Sequence, residues 1–240
     1  MPRNPSLREG DHASATGAII VAAGRGLRMG GRDKVLTALL GKPLVMYSLE
    51  VFNDAPGVSA IVLVVSADNL DTCRRLVEER GLRKVTDVRV GGERRRDSVS
   101  LGLEGMPDPG STIVHDGARP CVDAATIARG IDAVHRHGAA VAAVPVKDTI
   151  KSATRDRRVT KTIDREGLWA AQTPQVFRTQ VLKDAHGALE GDFTDDAAMV
   201  EARGGTVSLF MGSYDNIKVT TPEDVAIAEA ILANRSGAGA

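Results

Sequence analysis

The chain has 240 residues, of which 42% are hydrophobic and 26% are charged, and its 31 basic residues are balanced by 31 acidic ones. These fractions are ordinary for globular proteins and exclude disorder of the whole chain. The balanced charge gives no global field that would attract nucleic acid or an anionic membrane, and the most apolar stretch, 139–146, is too short for the roughly twenty residues of a bilayer span.

The beginning of the chain and its cysteines bear on where the protein works. Residues 1–16 mix Pro, Arg, Asp, Glu and Ser without the apolar segment of a secretory signal, so we expect a disordered leader. The two cysteines, Cys73 and Cys121, are too few for a disulfide framework or a cysteine-based zinc site. Both observations favour a cytoplasmic location.

From Ala18 onward, short β-branched runs alternate with longer helical patterns, which is typical of βαβ units. The predicted strands are 18–22, 60–65, 85–90, 112–115, 140–144 and 206–211. The predicted helices are 44–53, 70–80, 98–105, 124–137, 181–189, 195–203 and 223–234. We therefore predict an α/β protein with a Rossmann-like, mostly parallel central sheet flanked by helices, in one domain at 17–235 followed by a flexible tail at 236–240.

The segment 22–34, directly after the first predicted strand, contains four glycines at 24–31 and four basic residues. Glycines let backbone N–H groups approach phosphate oxygens closely, and the basic side chains add charge that a purely structural turn does not need. The glycine spacing fits neither the Walker loop nor the dinucleotide fingerprint. We interpret the segment as a polyphosphate site; a turn that only closes a βα connection is the alternative.

Asp116 follows another apolar strand, at the edge where open α/β sheets bind ligands. One or two carboxylates with phosphate oxygens and water form a usual magnesium shell, so Asp116 is a candidate ligand of Mg²⁺ or another divalent cation. The alternative is an Asx turn in which Asp116 only accepts backbone N–H groups. The basic run 94–96, beside a predicted helix start, is interpreted as a solvated face.

Residues 146–168 break the alternation of strands and helices. Their alternating polarity around the charged turn 154–158 predicts an antiparallel hairpin arm that projects from the body. Because an isolated two-stranded hairpin is marginal in water, the arm is expected to pack against another surface, that of a second subunit.

Five motifs now resemble a known family. The segment AAGRGLRM at 22–29, with Lys34 downstream, is similar to the signature of sugar nucleotidyltransferases. Together with VHDGARP at 114–120, TIDREGLW at 162–169, QTPQ at 172–175 and DNIKVT at 215–220, it resembles the 2-C-methyl-D-erythritol 4-phosphate cytidylyltransferase family over about residues 18–233.

The resemblance implies a reaction in which the phosphate of a sugar alcohol attacks the α-phosphorus of CTP and pyrophosphate leaves. No protein nucleophile is needed, so catalysis rests on positioning and on charge stabilisation. By match to the family, Arg28 and Lys34 stabilise the transition state. The residues expected to bind the second substrate are Arg165, Lys218, Thr149, Thr173 and Arg119, although Arg119 could equally pair with Asp116.

Nucleotide contacts are likewise implied by the resemblance. They are expected at Ala22, Ala23, Gly24, Gly26, Gly92 and Ser98. In the family the arm crosses a two-fold axis, so a homodimer formed through the arm is expected, with Thr149 and Arg165 serving the partner's site. Two other functions stay open at this point: a ribitol 5-phosphate cytidylyltransferase, and a nucleotide-binding regulatory module without turnover.

Overall fold

A computed structural model of the chain describes residues 15–24 and 34–237. Within them the strands are β1 Thr16–Ala22, β2 Ala38–Leu39, β3 Lys42–Pro43, β4 Val58–Val65, β5 Val85–Val90, β6 Ser111–Asp116, β7 Ala139–Pro145, β8 Ile150–Ala153, β9 Val159–Ile163, β10 Trp169–Arg178 and β11 Ser208–Met211. The α-helices are α1 Leu44–Asp54, α2 Leu70–Glu79, α3 Arg95–Gly105, α4 Ala124–His137, α5 Thr179–Ala188, α6 Asp196–Ala202 and α7 Pro222–Gly237.

The main sheet has seven strands in the order β11-β7-β10-β6-β1-β4-β5. All neighbouring strands are parallel except β10, which runs antiparallel to both β6 and β7. The predicted α/β fold with a mostly parallel sheet is therefore confirmed. The two largest differences at predicted ends are three residues each, at the start of α3 and at the end of α7.

Side chains of the central strands alternate between two cores, one on each face of the sheet. Ile61 and Leu63 of β4 face the core that contains α1, α2 and α4, whereas Val62 and Val64 face the core that contains α3, α5 and α6. All four are fully buried. Helices on both faces explain why β4 is apolar along its length, because neither face of the strand is exposed to water.

Strand β10 has no counterpart among the predicted strands. Its middle carries Gln172, Thr173, Pro174 and Gln175, a polar run with a proline that is untypical of a central strand. These polar side chains are nevertheless buried, because each amide or hydroxyl finds a partner in the neighbouring segments. Strand β10 thus places polar groups beside the end of β6.

The predicted hairpin is present as β8 and β9, which pair antiparallel with Ile150 opposite Ile163. It leaves the sheet where Pro145 of β7 lies opposite Trp169 of β10. Every residue of β8 is exposed, and so are all residues of β9 except Ile163. The arm therefore projects from the body of the molecule, at the same edge of the sheet where β6 ends.

The ends of the domain differ slightly from the prediction. Strand β1 begins at Thr16, which is fully buried, and α7 continues through residues 236 and 237. The rest of the predicted leader and tail, 1–14 and 238–240, lies outside the described residues. No helix in the described part of the chain has the length and hydrophobicity needed to cross a membrane.

Candidate active site

A cleft of about 800 Å³ lies at the carboxyl ends of β1, β4, β5 and β6. Ala22, Ala23 and Gly24 form one side of it, and the segment 90–95 forms another. Asp116 and Lys218 also line it. Open α/β sheets bind ligands at this edge, so the cleft is the candidate active site.

Asp116 is the centre of a cluster of charges in this cleft. Its Oδ1 accepts a hydrogen bond from Nε of Arg95 at 3.1 Å, and its Oδ2 lies 2.8 Å from Nζ of Lys218. Nε of Arg119 lies 3.9 Å from the same Oδ2. Burial alone would raise the pKa of Asp116, but the charges of Arg95, Lys218 and Arg119 hold that pKa well below its usual range. The carboxylate is therefore ionised at neutral pH.

A chain of buried hydrogen bonds lies behind Asp116. The Asp116 N–H donates to Oγ1 of Thr173 at 3.0 Å, and that hydroxyl lies 3.1 Å from Nδ1 of His115. The Nε2 of His115 lies 3.3 Å from the carbonyl oxygen of Arg119. A neutral His115 with its proton on Nε2 satisfies every bond, because Thr173 then donates to Nδ1.

Burial holds the pKa of His115 at about 3. In the unfolded state His115 is protonated below about pH 6.5, whereas in the folded state it stays neutral down to about pH 3. The free energy of unfolding therefore decreases as the pH falls from about 6.5 towards about 3. We predict that in EDTA this histidine removes about 2 kcal/mol from the free energy of unfolding between pH 7 and pH 5. Urea titrations of the wild type and His115→Gln at both pH values measure it; an equal pH dependence of the two proteins would contradict the prediction.

Arg119 faces the loop that carries Lys218. Its Nη1 donates to the carbonyl oxygen of Asn216 at 2.7 Å, and the N–H of Val219 donates to the carbonyl oxygen of Ala118 at 2.8 Å. Asn216 Nδ2 in turn donates to the carbonyl oxygen of Thr173 at 2.7 Å. These bonds fix an irregular segment, whereas the alternating sequence around Lys218 resembles a strand. They place Lys218 beside Asp116.

The segment 91–92 is closely packed against the end of β1. A Cβ added to Gly91 would lie 2.4 Å from Cβ of Ala23, and one added to Gly92 would lie 2.4 Å from Cβ of Asp97. The Gly92 N–H donates to Oγ of the buried Ser98 at 3.2 Å. The sequence-predicted nucleotide residues Ala22, Ala23, Gly24, Gly92 and Ser98 all line the cleft.

The predicted residues of the arm are placed differently. Thr149 and Arg165 are both exposed and flank the hairpin, and Arg165 donates to the carbonyl oxygen of Lys147. Within the ranges 15–24 and 34–237, no hydrogen bond or ion pair joins either of them to Asp116. Their roles remain predictions.

The predicted catalytic residues also remain predictions. Arg28 and Gly26 lie outside the described residues, and of Lys34 only the backbone is described, as the first residue of a short 3₁₀ helix. The described residues on either side of this segment, Gly24 and Val35, both line the cleft.

The interpretation of 94–96 as a solvated face is wrong for two of its three arginines. Arg95 contacts both Asp116 and Asp196, and Arg96 donates to the carbonyl oxygens of His186 and Gly191. Only Arg94 is exposed, where it pairs with Asp97. Three consecutive arginines show no alternation of polar and apolar residues that would tell buried positions from exposed ones. The sequence therefore did not indicate that Arg95, at the start of α3, points into the cleft.

The cluster can be tested for its fit to a divalent cation. Among the side chains that the structure describes, no three His, Cys, Asp or Glu residues lie together as a metal site. The ionised Asp116 is a hard oxygen donor, which suits Mg²⁺ when phosphate oxygens and water complete the shell. The site therefore fits a cation that arrives with a phosphate ligand.

Comparisons with known proteins identify the family of this chain. The family model for 2-C-methyl-D-erythritol 4-phosphate cytidylyltransferase matches residues 16–234. A relative of that name from Dehalococcoides mccartyi is 47% identical over 216 residues, covering 90% of this chain and 95% of the relative. One from Alkaliphilus metalliredigens is 44% identical over 230 residues, covering 93% and 95%.

Solved structures agree as well. The 4-diphosphocytidyl-2C-methyl-D-erythritol synthase from Anaerococcus prevotii superimposes with a TM-score of 0.78 at 28% identity, covering 92% of this chain and 99% of that one. The cytidylyltransferase from Thermus thermophilus gives a TM-score of 0.73 at 30% identity, covering 89% and 97%. With the match to the family model across nearly its whole length, the chain belongs to the 2-C-methyl-D-erythritol 4-phosphate cytidylyltransferase family.

Proposed function

We propose that this protein transfers CMP from CTP to 2-C-methyl-D-erythritol 4-phosphate and releases pyrophosphate, a step of non-mevalonate isoprenoid biosynthesis. The observation that carries the proposal is the ionised Asp116, which Arg95 and Lys218 hold in a cleft whose wall is formed by the ends of β1 and β5. Membership of the family supplies the identity of the substrates.

The chemistry requires little from the protein beyond placement and charge. An oxygen of the substrate phosphate forms a bond to the α-phosphorus of CTP, and the bond to the β-phosphate oxygen breaks with its electron pair on pyrophosphate. The attacking group is already an anion, so no general base is needed. Cations placed beside the phosphate oxygens around the α-phosphorus stabilise the negative charge of the transition state. Arg28 and Lys34 are proposed for this role.

Two predicted substrate residues have other partners in the structure. The hydroxyl of Thr173 is engaged by Asp116 and His115, and Arg119 holds the Asn216 carbonyl. We assign both residues to placing Asp116 and the Lys218 loop. Lys218, with 38% of its side chain exposed, remains the candidate for the substrate phosphate, together with Arg165 and Thr149 from an arm.

A divalent cation bound at Asp116 would neutralise part of the charge on the triphosphate. Asp116 is the residue that would hold it, with phosphate oxygens as the other ligands. Mg²⁺ is proposed because it is bound through few carboxylates and keeps substrate phosphates and water in its shell.

The function is tested by measuring pyrophosphate release from CTP with either of two sugar-alcohol phosphates. We predict that kcat/KM for 2-C-methyl-D-erythritol 4-phosphate is at least about 100-fold higher than for ribitol 5-phosphate. A pocket that hydrogen-bonds one polyol leaves some of its own polar groups unpaired when a different polyol binds, and this lowers kcat/KM strongly. The family match favours this substrate over ribitol 5-phosphate. Preferential turnover of the ribitol compound would reject the assignment, and CTP binding without turnover would indicate a regulatory module.

We also propose that the arm forms a homodimer and completes the partner's site. The support is the arm itself: both of its strands are exposed, and Val159 is 62% exposed. A two-stranded hairpin of this kind gains stability from a second surface. The arm leaves the sheet at the edge where Asp116 lies, so a second copy bound to the arm would lie next to this edge.

The dimer proposal predicts complementation between two inactive variants. Arg165→Ala and Lys218→Ala should each lose most turnover alone. After subunit exchange, half of the dimers are mixed and each mixed dimer has one intact site, so activity should recover to roughly a quarter of wild type. The rate of pyrophosphate release by the mixture of the two variants, compared before and after subunit exchange, measures this recovery. No recovery, with mixed dimers demonstrated by differential tags, would place Arg165 in its own chain's site.

A further inference from the structure

We propose that Arg95 is a positioning residue for the reaction, which holds the Asp116 carboxylate in place by bridging it to a second buried carboxylate, Asp196. The inference rests on the proposed function, since it assigns a residue to that reaction.

The bridge is a single guanidinium between two carboxylates. Nε of Arg95 donates to Asp116 Oδ1 at 3.1 Å, and Nη1 donates to Asp196 Oδ2 at 2.6 Å. Arg95 is the first residue of α3, Asp116 ends β6 and Asp196 begins α6. The consecutive elements α3 and β6 are thus joined to the distant α6 at one side chain.

Asp196 is itself held from behind. Its Oδ1 accepts from Nε2 of His186 at 2.9 Å, and Nδ1 of His186 lies 3.0 Å from Oγ of Ser100 on α3. Only 1% of the Asp196 side chain is exposed. Burial alone would raise the pKa of Asp196, but the charge of Arg95 and the hydrogen bond from His186 lower it. The carboxylate is therefore a fixed negative charge beneath the cleft.

Arg119 lies 3.9 Å from Asp116, and the two cations that lie closer, Arg95 and Lys218, are held differently. Arg95 has 25% of its side chain exposed and is tied to Asp196, whereas Lys218 has 38% exposed and no second ion-pair partner in the described part of the chain. An incoming phosphate can draw Lys218 away from Asp116. Arg95 cannot follow, because Asp196 retains it. The fixed orientation of Asp116 therefore comes from Arg95.

Lysine cannot replace this arginine. The planar guanidinium presents separate N–H groups to the two carboxylates, whereas an ammonium is a single point charge. Buried ion pairs add little to stability once their desolvation is counted, so stability alone is a weak reason for this arrangement. Holding the carboxylate proposed to bind the divalent cation in one orientation is a specific reason.

The test is a double-mutant cycle on kcat with Arg95→Lys and Asp116→Asn. Arg95→Lys alone should lower kcat by about 10- to 100-fold, as loss of a group that orients a metal-ligating side chain does. In the Asp116→Asn background the same change should cost less than about threefold, because the two residues act through one another. A role confined to folding would not produce this dependence.

Arg96→Lys is the matched control. Arg96 follows Arg95 on α3 and has 13% of its side chain exposed; it donates to the carbonyl oxygens of His186 and Gly191, and its Nε lies 3.8 Å from Oδ1 of Asp97. Its kcat should stay within about twofold of wild type, as for a substitution outside the site. Equal losses in Arg95→Lys and Arg96→Lys, or a full second loss in the Asp116→Asn background, would overturn the proposal; the latter would indicate direct contact of Arg95 with substrate.

Thermal unfolding of each variant shows whether it is folded. If Arg95→Lys does not fold, Asp196→Asn is the variant to test, because it removes the charge that holds Arg95. Its kcat should fall at least about fivefold. An unchanged kcat would overturn the proposal. The proposed function fails separately. Wild-type protein without turnover of 2-C-methyl-D-erythritol 4-phosphate defeats that function, whereas active wild type with additive losses defeats only the role of Arg95.

Discussion

Asp116→Asn should lower kcat by about 10²-fold or more while the protein stays folded. The carboxylate lies in the cleft with its charge held by Arg95 and Lys218, and the amide can neither hold a cation nor balance them. The fold tolerates the change because each neighbouring cation has another partner or solvent: Arg95 keeps Asp196 and Arg119 keeps the Asn216 carbonyl. Steady-state pyrophosphate release and thermal unfolding measure the two effects.

Asp215→Asn is the control for the change in net charge. Asp215 lies on the same loop as Lys218, with 56% of its side chain exposed and Arg235 as its partner at 3.3 Å. Loss of such a surface pair should change kcat by less than about twofold. If Asp116→Asn retained near-wild-type kcat at saturating CTP and Mg²⁺, the assignment of Asp116 to the reaction would be wrong.

Much of the fold follows from the sequence because local patterns carry it. The continuous apolar run of β4 and the strand-to-helix alternation from Ala18 onward predict a sheet with helices on both faces, and the two cores confirm it. Strand β10 was missed for a physical reason. Its buried Gln172 and Gln175 satisfy their amides through Ser213 and Asp195, partners that are distant in sequence.

In the candidate site, too, local sequence patterns indicate some residues, whereas others depend on partners that are distant in the sequence. Asp116 could be singled out because its residue type and its position after a strand carry chemical information, whereas Gly92 was implied only by the resemblance to the family. Arg95 could not, since its function depends on Asp196, which lies 101 positions away. Nor could the tie between Thr173 and Asp116, because an isolated threonine in a strand is common and gives no signal of its hydrogen-bond partner.

The glycine-rich segment carries the other large prediction. Arg28→Ala and Lys34→Ala should each lower kcat by about 10²-fold or more, as loss of a transition-state stabiliser does, with a smaller change in the KM for CTP. The described residues on either side of this segment, Gly24 and Val35, both line the cleft where the triphosphate is proposed to bind. Cations that stabilise only the five-coordinate α-phosphorus of the transition state affect kcat more than they affect the binding of CTP in the ground state.

Single-turnover and steady-state assays with CTP and 2-C-methyl-D-erythritol 4-phosphate separate these effects. Arg83→Ala, which removes the same charge from an exposed position between α2 and β5, is the control and should leave kcat within about twofold. Arg28→Lys distinguishes charge from shape: partial recovery relative to Arg28→Ala indicates that charge suffices, and none indicates that the planar guanidinium is needed. Near-normal kcat in both alanine variants would show that the glycine-rich segment does not stabilise the transition state.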